Sequence, residues 1–466
     1  PMMDTTTISP RLAARLRRGA TAGSALALLA AAGCGDGATG LVRVVDPDII
    51  TPETVNSPAA AQALRLGAMA RFNSATSAGE NLFLYGGLMA DEFESGDTFD
   101  QNGNVDGAYR QVQRTRVGAQ QALRALNQFD PTGPAWTKAE MYMVEGYMLN
   151  QLAEHFCNGV PLSTVVDGVE QPGGPVTTTA MYQLAVAKYD SALTLLGTAG
   201  DAESNRVRNI VRVERGRTLM NLNRPADALA AVQGVPATFV WLQEHSPQVR
   251  DNAIWSLNIA GRRYQLGNAE AGIGLPFFGN ADPRVPSCLG GDARCRAIGA
   301  TAPLAFNVNA GPIRVQMVFP DRTTPMAVVT GTQARLIAAE AVLRAGNGAA
   351  AIDSLNAIRR TAPSTLTPAS PTPMNLPPLA DPGTQDGRID LLFREKAFWQ
   401  FATGKRFGEL RRLVRQYNRP ANSVFPSGRW QGSTQNYGTD VNFPIPQSEQ
   451  NNPAFGPQGQ CIDRNA

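Results

Sequence analysis

The sequence has very few of the residues that carry most acid–base and metal chemistry. Histidine occurs only twice, at His155 and His245, and neither position belongs to a motif for acid–base catalysis or zinc binding. The five cysteines show no CxxC spacing, and the GxSxG and P-loop patterns are absent. These absences argue against the common hydrolase, nucleotide-binding and zinc-enzyme classes, and we expect neither catalytic residues nor a cofactor.

The sequence also has little lysine, so almost all of its positive charge comes from arginine. The formal net charge is +3, and four arginines with one aspartate in residues 1–33 account for that whole excess. The rest of the chain is therefore close to neutral, which argues against binding to nucleic acid through general charge attraction. The four lysines are Lys138, Lys188, Lys396 and Lys405.

No apolar run near the N-terminus is long enough to cross a bilayer. Residues 19–33 form an apolar stretch shorter than the roughly 20 residues that a membrane helix needs, and arginines precede it. These are the marks of a secretory signal, and the small residues before Cys34 resemble a bacterial lipobox. We expect residues 1–33 to be a lipoprotein signal peptide, Cys34 to be lipidated, and residues 34–45 to be a tether. The alternative is an ordinary signal peptide followed by an unrelated cysteine.

The four remaining cysteines are an even number in a chain expected to reach an oxidising compartment. Such a set predicts disulfides, for which three pairings are possible. Cys288 and Cys295 flank a glycine-containing loop that suits a local bridge, which would leave Cys157 to pair with Cys461. A bridge closing so long a loop would stabilise the fold by about 4 to 5 kcal/mol. A metal site is the alternative, and its ligands would have to include one of the two histidines.

Helical periodicity dominates residues 46–466 and predicts a mainly α fold with little β structure. Ser57 and Pro58 mark a helix start, and small–large–small spacing recurs within residues 57–234 and 324–361. That spacing is similar to tetratricopeptide repeats, whose small residues let two antiparallel helices approach closely. We expect helical hairpins forming a curved scaffold, with an unrelated helical bundle as the alternative.

Three segments interrupt the helical pattern. Residues 235–323 are rich in glycine, proline and aromatics, and they predict an irregular subdomain with a strand at 313–319. Residues 363–382 contain many prolines and predict an extended loop. Residues 91–106 are rich in aspartate and predict a solvated acidic loop, with a calcium site or a glycosidase-like carboxylate pair as alternatives. Helices and loops are expected again in residues 386–466.

Three stretches carry a resemblance to the SusD/RagB-type outer-membrane lipoproteins. Phe156-Cys-Asn-Gly-Val-Pro-Leu162 resembles a family segment that ends a long helix, and residues 335–359 resemble the last repeat hairpin of the family. Residues 395–412, followed by Phe443-Pro-Ile-Pro446, are similar to the closing helix pair and its proline-rich loop. Gly404, between the two helices, suits a left-handed turn that a side chain would oppose.

The resemblance implies a binding protein rather than an enzyme. Members of this family lie on the outer membrane facing the cell exterior, where they capture oligosaccharides or peptides and deliver them to a TonB-dependent transporter barrel. The helical repeats of the family generally face the transporter, while the irregular portion and the early loops form the ligand side. Two other functions stay open at this point: a helical-repeat scaffold that binds another protein, and an all-helical glycan hydrolase.

Aromatic side chains in loops are the best candidates for ligand contacts, because a sugar ring stacks its apolar face on them. Two of the candidates fall in the acidic loop and the others in the irregular subdomain or near the C-terminus. They are Phe93, Phe99, Trp241, Trp255, Tyr264 and Phe277, with Phe278, Trp430 and Tyr437 as further possibilities.

Overall fold

The computed structural model describes most of residues 55–465. The described residues are 55–79, 81–95, 101–166, 169–304, 312–364, 372–429 and 436–455, with residues 461 and 465. For residues 101–104 only the backbone is described. The chain divides into two units, residues 1–51 and 52–466, and every described residue belongs to the second. The expected signal peptide, Cys34, Phe99 and Trp430 lie outside the described residues.

Four helices come first, and their starts follow from side-chain caps. Ser57 accepts a hydrogen bond from the backbone N–H of Ala60, as a residue preceding a helix does. Asn81 caps the second helix in the same way, through the N–H of Leu84. The helices are α1 (Pro58–Thr76), α2 (Leu82–Met89), α3 (Gln101–Phe129) and α4 (Ala135–His155). Helix α4 is buried along most of its length, and α3 and the helix Thr178–Leu196 pack on it.

Two small antiparallel pairs of strands interrupt the predicted run of helices between 57 and 234. Strand β2 (Val160–Pro161) pairs with β5 (Pro175–Val176), and β3 (Thr164–Val166) pairs with β4 (Val169–Gln171). Three helices follow, namely α5 (Thr178–Leu196), α6 (Ala202–Asn221) and α7 (Pro225–Val232). The segment beginning at Phe156 therefore ends the long helix, as the resemblance implied.

The predicted small–large–small pattern has a direct packing role. Ala185, Tyr189 and Ala192 are all fully buried on α5. Tyr189 lies against Gly146 of α4, where an added Cβ would come 2.8 Å from the Tyr189 ring. A glycine facing a tyrosine lets the two helices approach closely, which is the packing that the spacing predicted.

Short strands and short helices make up the irregular portion. Strand β6 (Val240–Gln243) pairs with β10 (Met326–Thr330), and β8 (Ser287–Leu289) pairs with β9 (Arg314–Gln316). The strand expected over 313–319 is thus shorter than its alternation indicated. Between these pairs lie α8 (Ala253–Trp255), a π turn (Ser256–Ala260), β7 (Gln265–Leu266), a 3₁₀ turn (Glu270–Gly272) and α9 (Ala293–Ala297).

Four longer helices complete the structure, and the mainly α fold class is confirmed. Helices α10 (Gly331–Arg344) and α11 (Gly348–Thr361) form a hairpin, and α12 (Gln385–Trp399) and α13 (Arg406–Tyr417) form the closing pair. Two 3₁₀ turns follow at Ala421–Ser423 and Gln447–Asn451. Within the described residues, no helix combines the length and apolar character that a membrane span requires.

The C-terminal segment crosses the end of α4 and is attached to it covalently. Phe443 donates its N–H to the carbonyl of His155 and accepts from the N–H of Cys157, at 2.7 and 2.8 Å. The structure contains the Cys157–Cys461 disulfide and also the local Cys288–Cys295 disulfide. Phe443 and Ile445 are buried, so the Phe-Pro-Ile-Pro segment packs over the helical core.

Candidate ligand-binding face

The structure joins the acidic segment near residue 91 to the irregular portion of the chain. Residues Phe93 and Glu94 form β1, which pairs with β7 so that Phe93 lies opposite Leu266 and Glu94 opposite Gln265. Two segments that are expected on the ligand side are therefore paired with each other, although about 170 residues separate them in the sequence.

The carboxylates of this acidic segment are internal, which corrects the expectation of a solvated loop. Asp91, Glu92 and Glu94 are all buried. Asp91 accepts two hydrogen bonds from Arg406, at 2.8 and 2.9 Å, and a third from the N–H of Leu275. Burial of a carboxylate is tolerated when donors satisfy it in this way.

Partners also occupy the other two carboxylates. Glu92 accepts a hydrogen bond of 2.9 Å from the N–H of Ala402, and burial raises its pKa to about 8. Glu94 accepts one of 2.7 Å from the side chain of Gln265 and forms an ion pair with Arg314. These groups hold distant segments together, so they form neither an open calcium site nor a carboxylate pair facing a cleft.

Metal binding finds no support in the described residues. The one group of three potential ligands that lie close together consists of Cys288, Asp292 and Cys295. Both cysteines of that group form the local disulfide, so neither offers a thiolate.

The loop between β7 and Phe278 is attached to the acidic segment and to the C-terminal segment. Glu270, in this loop, is buried, and its pKa lies well above the ordinary value because of burial and the nearby charge of Asp91. Tyr437 donates its hydroxyl to Glu270. The loop also holds Ala269 and Ala271 at φ +52°, a conformation that non-glycine residues adopt at a cost. Its backbone is thus fixed from both sides.

A buried amide connects the Trp255 region to the same unit. Asn258 donates to the carbonyl of Tyr264 at 2.7 Å and accepts from the N–H of Gln316 at 3.0 Å. These two hydrogen bonds join the π turn directly after α8 to the residue before β7 and to β9. Trp255, which precedes this turn, packs against the small apolar cluster around the local disulfide.

Four of the aromatic ligand candidates lie in the core instead of on a surface. Phe93 and Phe277 are 0% exposed, Trp241 is 6% exposed and Tyr264 is 8% exposed. Phe93 packs against Phe401, with ring centroids 5.3 Å apart. A ring covered by protein cannot stack on a sugar, so these four expectations are corrected. Loop sequence surrounds these residues, but contacts with distant helices bury them.

Three other candidate rings are half-buried and so keep part of their surface open. They are Trp255, Phe278 and Tyr437, and we define them as the candidate binding face. Phe278 belongs to the loop that Tyr437 contacts through Glu270, so the structure places both rings at one loop.

Trp255 has a polar neighbour that the sequence did not single out. The Arg322 guanidinium carbon lies 5.9 Å from the Trp255 ring centroid, and Arg322 forms a two-bond ion pair with Asp251 at 2.8 and 3.0 Å. An aromatic ring beside charged hydrogen-bonding groups is a typical carbohydrate-binding combination. Arg322 belongs to no motif, and only the fold brings it within reach of Trp255.

Neither histidine has the surroundings of a catalytic group. His155 is fully buried at the end of α4, its Nδ1 lies 3.0 Å from the Gln151 carbonyl, and burial lowers its pKa to about 3. His245 is also buried, and its pKa is lowered to about 4. Both rings are therefore neutral at pH 7.

Comparisons with known proteins give a match at the level of structure only. No family model matches the sequence, and no curated protein does. A SusD superfamily protein from Parabacteroides distasonis superposes with a TM-score of 0.59 at 14% identity, over 85% of this chain and 98% of that one.

Two proteins from Bacteroides vulgatus are similarly related. A SusD-like carbohydrate binding protein has a TM-score of 0.58 at 12% identity, over 86% of this chain and 97% of its own. A SusD superfamily protein has a TM-score of 0.56 at 14% identity, over 87% of this chain and 99% of its own. Since each of these proteins is matched almost from end to end, the chain has the fold of the SusD superfamily.

Proposed function

We propose that this protein is a non-catalytic binding protein that captures an oligosaccharide outside the cytoplasm. The shared fold carries the proposal, since it covers 86% of this chain and 97% of a protein described as a SusD-like carbohydrate binding protein. The half-buried ring of Trp255 beside Arg322 and Asp251 supports it with a suitable local chemistry. A peptide is the other ligand class that the resemblance implies.

The state of the internal carboxylates supports binding without bond cleavage. Glycoside hydrolysis needs two carboxyl groups that face each other across the scissile bond. Asp91 is paired with Arg406, and Glu94 is paired with Arg314 and Gln265. Each of these two carboxylates therefore has a structural role. We further propose that the protein delivers the intact ligand to a TonB-dependent transporter and that Cys34 is its lipid anchor on the outer membrane.

A binding screen with two tryptophan variants tests the proposal. The purified full chain is screened against immobilised oligosaccharides and peptides, and W255A is then compared with wild type on the best ligand. We expect W255A to weaken glycan binding by about fivefold to tenfold, because one stacked ring contributes roughly 1 to 1.4 kcal/mol. The measurement is isothermal titration calorimetry.

Trp136 provides a matched control for this experiment. It is also half-buried, and an arginine also lies over its ring, with the Arg65 guanidinium carbon 4.9 Å from the centroid. W136A removes the same chemistry from the start of α4 and should leave the affinity unchanged. If the protein bound peptides and no glycan, the ligand in the proposal would be a peptide instead of an oligosaccharide. If it bound neither class, the proposal would be contradicted.

Membrane attachment and the transporter partner need their own test. In cells, C34A should release the protein from the membrane fraction, because one cysteine is expected to carry the lipid. A large barrel protein should co-purify with wild type after solubilisation in mild detergent. If C34A stayed membrane-bound, or no barrel co-purified, delivery to a transporter would be rejected even if glycan binding were established.

A further inference from the structure

A second, small apolar core lies in the irregular portion, separate from the main core. Its six buried members are Ile259, Cys288, Cys295, Ala300, Ile313 and Val315. Apolar packing alone rarely stabilises so small a core, and small cores are commonly held by disulfides or metals instead. Two of its members are the cysteines of the local disulfide, so a covalent bond supplements the limited apolar packing.

Trp255 lies where the two cores meet. Ile254, the preceding residue, belongs to the main core, whereas Trp255 packs against the small one. The backbone of α8 is held by Asn252, whose side chain accepts from the N–H groups of Ile254 and Trp255 at 3.0 and 3.2 Å. Asn252 in turn donates its backbone N–H to the carbonyl of Arg322 at 2.9 Å. The backbone of α8 is thus fixed independently of the small core, while the indole ring depends on the small core for its packing.

The disulfide is connected to the turn after α8 through β8 and β9. Cys288 lies opposite Val315 in the β8–β9 pair. Asn258, in the π turn that follows α8, accepts from the N–H of Gln316 at 3.0 Å and donates to the carbonyl of Arg314 at 3.3 Å. Backbone pairing and side-chain hydrogen bonds therefore link the bridge to the residues next to the indole ring.

The other end of the disulfide lies on a very short helix. Helix α9 has five residues and includes Cys295. A helix of this length is not stable alone, so it depends on its contacts with the rest of the protein. Asp292 caps it by accepting from the N–H groups of Cys295 and Leu289, at 3.4 and 3.1 Å. Loss of the disulfide would remove the covalent restraint on α9 and loosen the small core.

We propose that the Cys288–Cys295 disulfide positions the Trp255 ring for contact with a sugar. The proposal rests on the proposed function, because it concerns the ring that is expected to stack on the ligand. Stacking requires a ring held in one orientation, and an ordered ring loses less conformational freedom on binding. The two cysteines are positioning residues: they act through the small core and need no contact with the ligand.

Fluorine NMR of the full chain labelled with 5-fluorotryptophan tests this positioning without any ligand. The chain has five tryptophans, and W255F identifies the resonance of Trp255 among theirs. We expect C288A/C295A to shift or broaden the Trp255 resonance by more than its linewidth, because the ring loses its fixed packing. The resonance of Trp136, at the start of α4, should stay in place. An unchanged Trp255 resonance would overturn the proposal.

The other disulfide provides a matched control. Cys157 and Cys461 contact the main core and not the small one, so C157A/C461A should leave the Trp255 resonance in place. Equal changes in the two double variants would show a general loosening of the protein and would overturn the proposal. If circular dichroism shows that C288A/C295A does not fold, V315A trims the same small core with both disulfides intact. V315A should also move the Trp255 resonance, and no change there would overturn the proposal.

Binding to the immobilised oligosaccharide panel connects the position of the ring to function. On the glycan that wild type retains best, C288A/C295A should weaken binding by about fivefold to tenfold, as W255A does. If W255A weakened binding and C288A/C295A did not, the positioning role would be rejected and the proposed function would stand. If W255A itself had no effect, the role of this ring in the proposed function would fail, and the NMR result would still decide whether the disulfide positions it.

Discussion

Charged side chains inside the helical core differ in how completely they are paired. Glu340 accepts hydrogen bonds from Lys396 and Arg412, and these two positive charges affect its pKa. Burial alone would raise this pKa, but the charges of Arg412 and Lys396 bring it down to about 2. Glu92 has one backbone donor, and its Oε2 atom is buried without a partner in the described residues. Its pKa of about 8 means that it is mostly protonated at pH 7.

The raised pKa of Glu92 predicts a loss of stability as the pH rises. Between pH 4.5 and 8 the unfolded chain releases the Glu92 proton while the folded chain keeps it, so the free energy of unfolding falls as the pH increases. The loss approaches about 1.4 kcal/mol per pH unit within that window. E92Q keeps a neutral side chain of the same shape and should lack this loss. Urea unfolding of both proteins from pH 5 to 8 measures the difference.

The prediction concerns the difference in the free energy of unfolding between wild type and E92Q, and how that difference changes with pH. Other titrating groups contribute equally to both proteins and therefore cancel. E170Q, at an exposed position in β4, controls for the removal of one carboxylate. A constant difference between wild type and E92Q across the window would show that Glu92 is ionised in the folded protein. In that case Lys405, whose pKa burial lowers to about 7, would become its expected counterion.

At the scale of elements, the turn between α12 and α13 depends on one glycine. Gly404 has φ +70°, and a Cβ at this position would lie 2.1 Å from Cδ1 of Phe83 in α2. The turn is therefore both left-handed and in close contact with another helix. The next residues carry the buried Lys405 and the Arg406–Asp91 ion pair, so the turn places these groups as well.

Two glycine substitutions separate the backbone requirement from the steric one. Gly346, between α10 and α11, has φ +87°, and a Cβ added there would meet no atom within 4 Å. G346A should lower the free energy of unfolding by about 1 kcal/mol, through left-handed strain alone. G404A adds the clash with Phe83 and should lower it by about 2 to 5 kcal/mol. Equal losses in urea unfolding would show that Phe83 moves aside freely.

Local signals in the sequence predicted these elements well. Helix starts at Ser57, the left-handed turn at Gly404 and the small–large–small spacing around Tyr189 each depend on residues close together in the chain. The acidic segment was predicted wrongly because its environment is distant: Arg406 lies 315 residues from Asp91. The burial of Phe93 against Phe401 has the same origin. Charge and aromaticity in a loop sequence therefore did not reveal whether a side chain was open to solvent.

At the scale of the whole molecule, the Cys157–Cys461 disulfide connects two segments 304 residues apart. It lies beside the contacts of Phe443 with His155 and Cys157, where the C-terminal segment crosses the end of α4. The same segment carries Tyr437, which contacts Glu270 in the loop of the candidate binding face. One covalent bond thus restrains a segment that reaches from the helical core to the candidate binding face.

The two disulfides are expected to differ in their effect on stability, since they close loops of very different length. The Cys288–Cys295 bridge spans 7 residues, and the chain-entropy argument gives it about 2 kcal/mol against about 4 to 5 kcal/mol for Cys157–Cys461. In urea, C157A/C461A should therefore lose roughly twice the free energy of unfolding that C288A/C295A loses. If removal of the long-range disulfide frees Tyr437, the C157A/C461A variant should also bind ligand more weakly. Y437F should in that case weaken ligand binding without a large loss of stability. Equal losses from the two cysteine pairs would mean that local packing, rather than loop closure, determines what each bridge contributes.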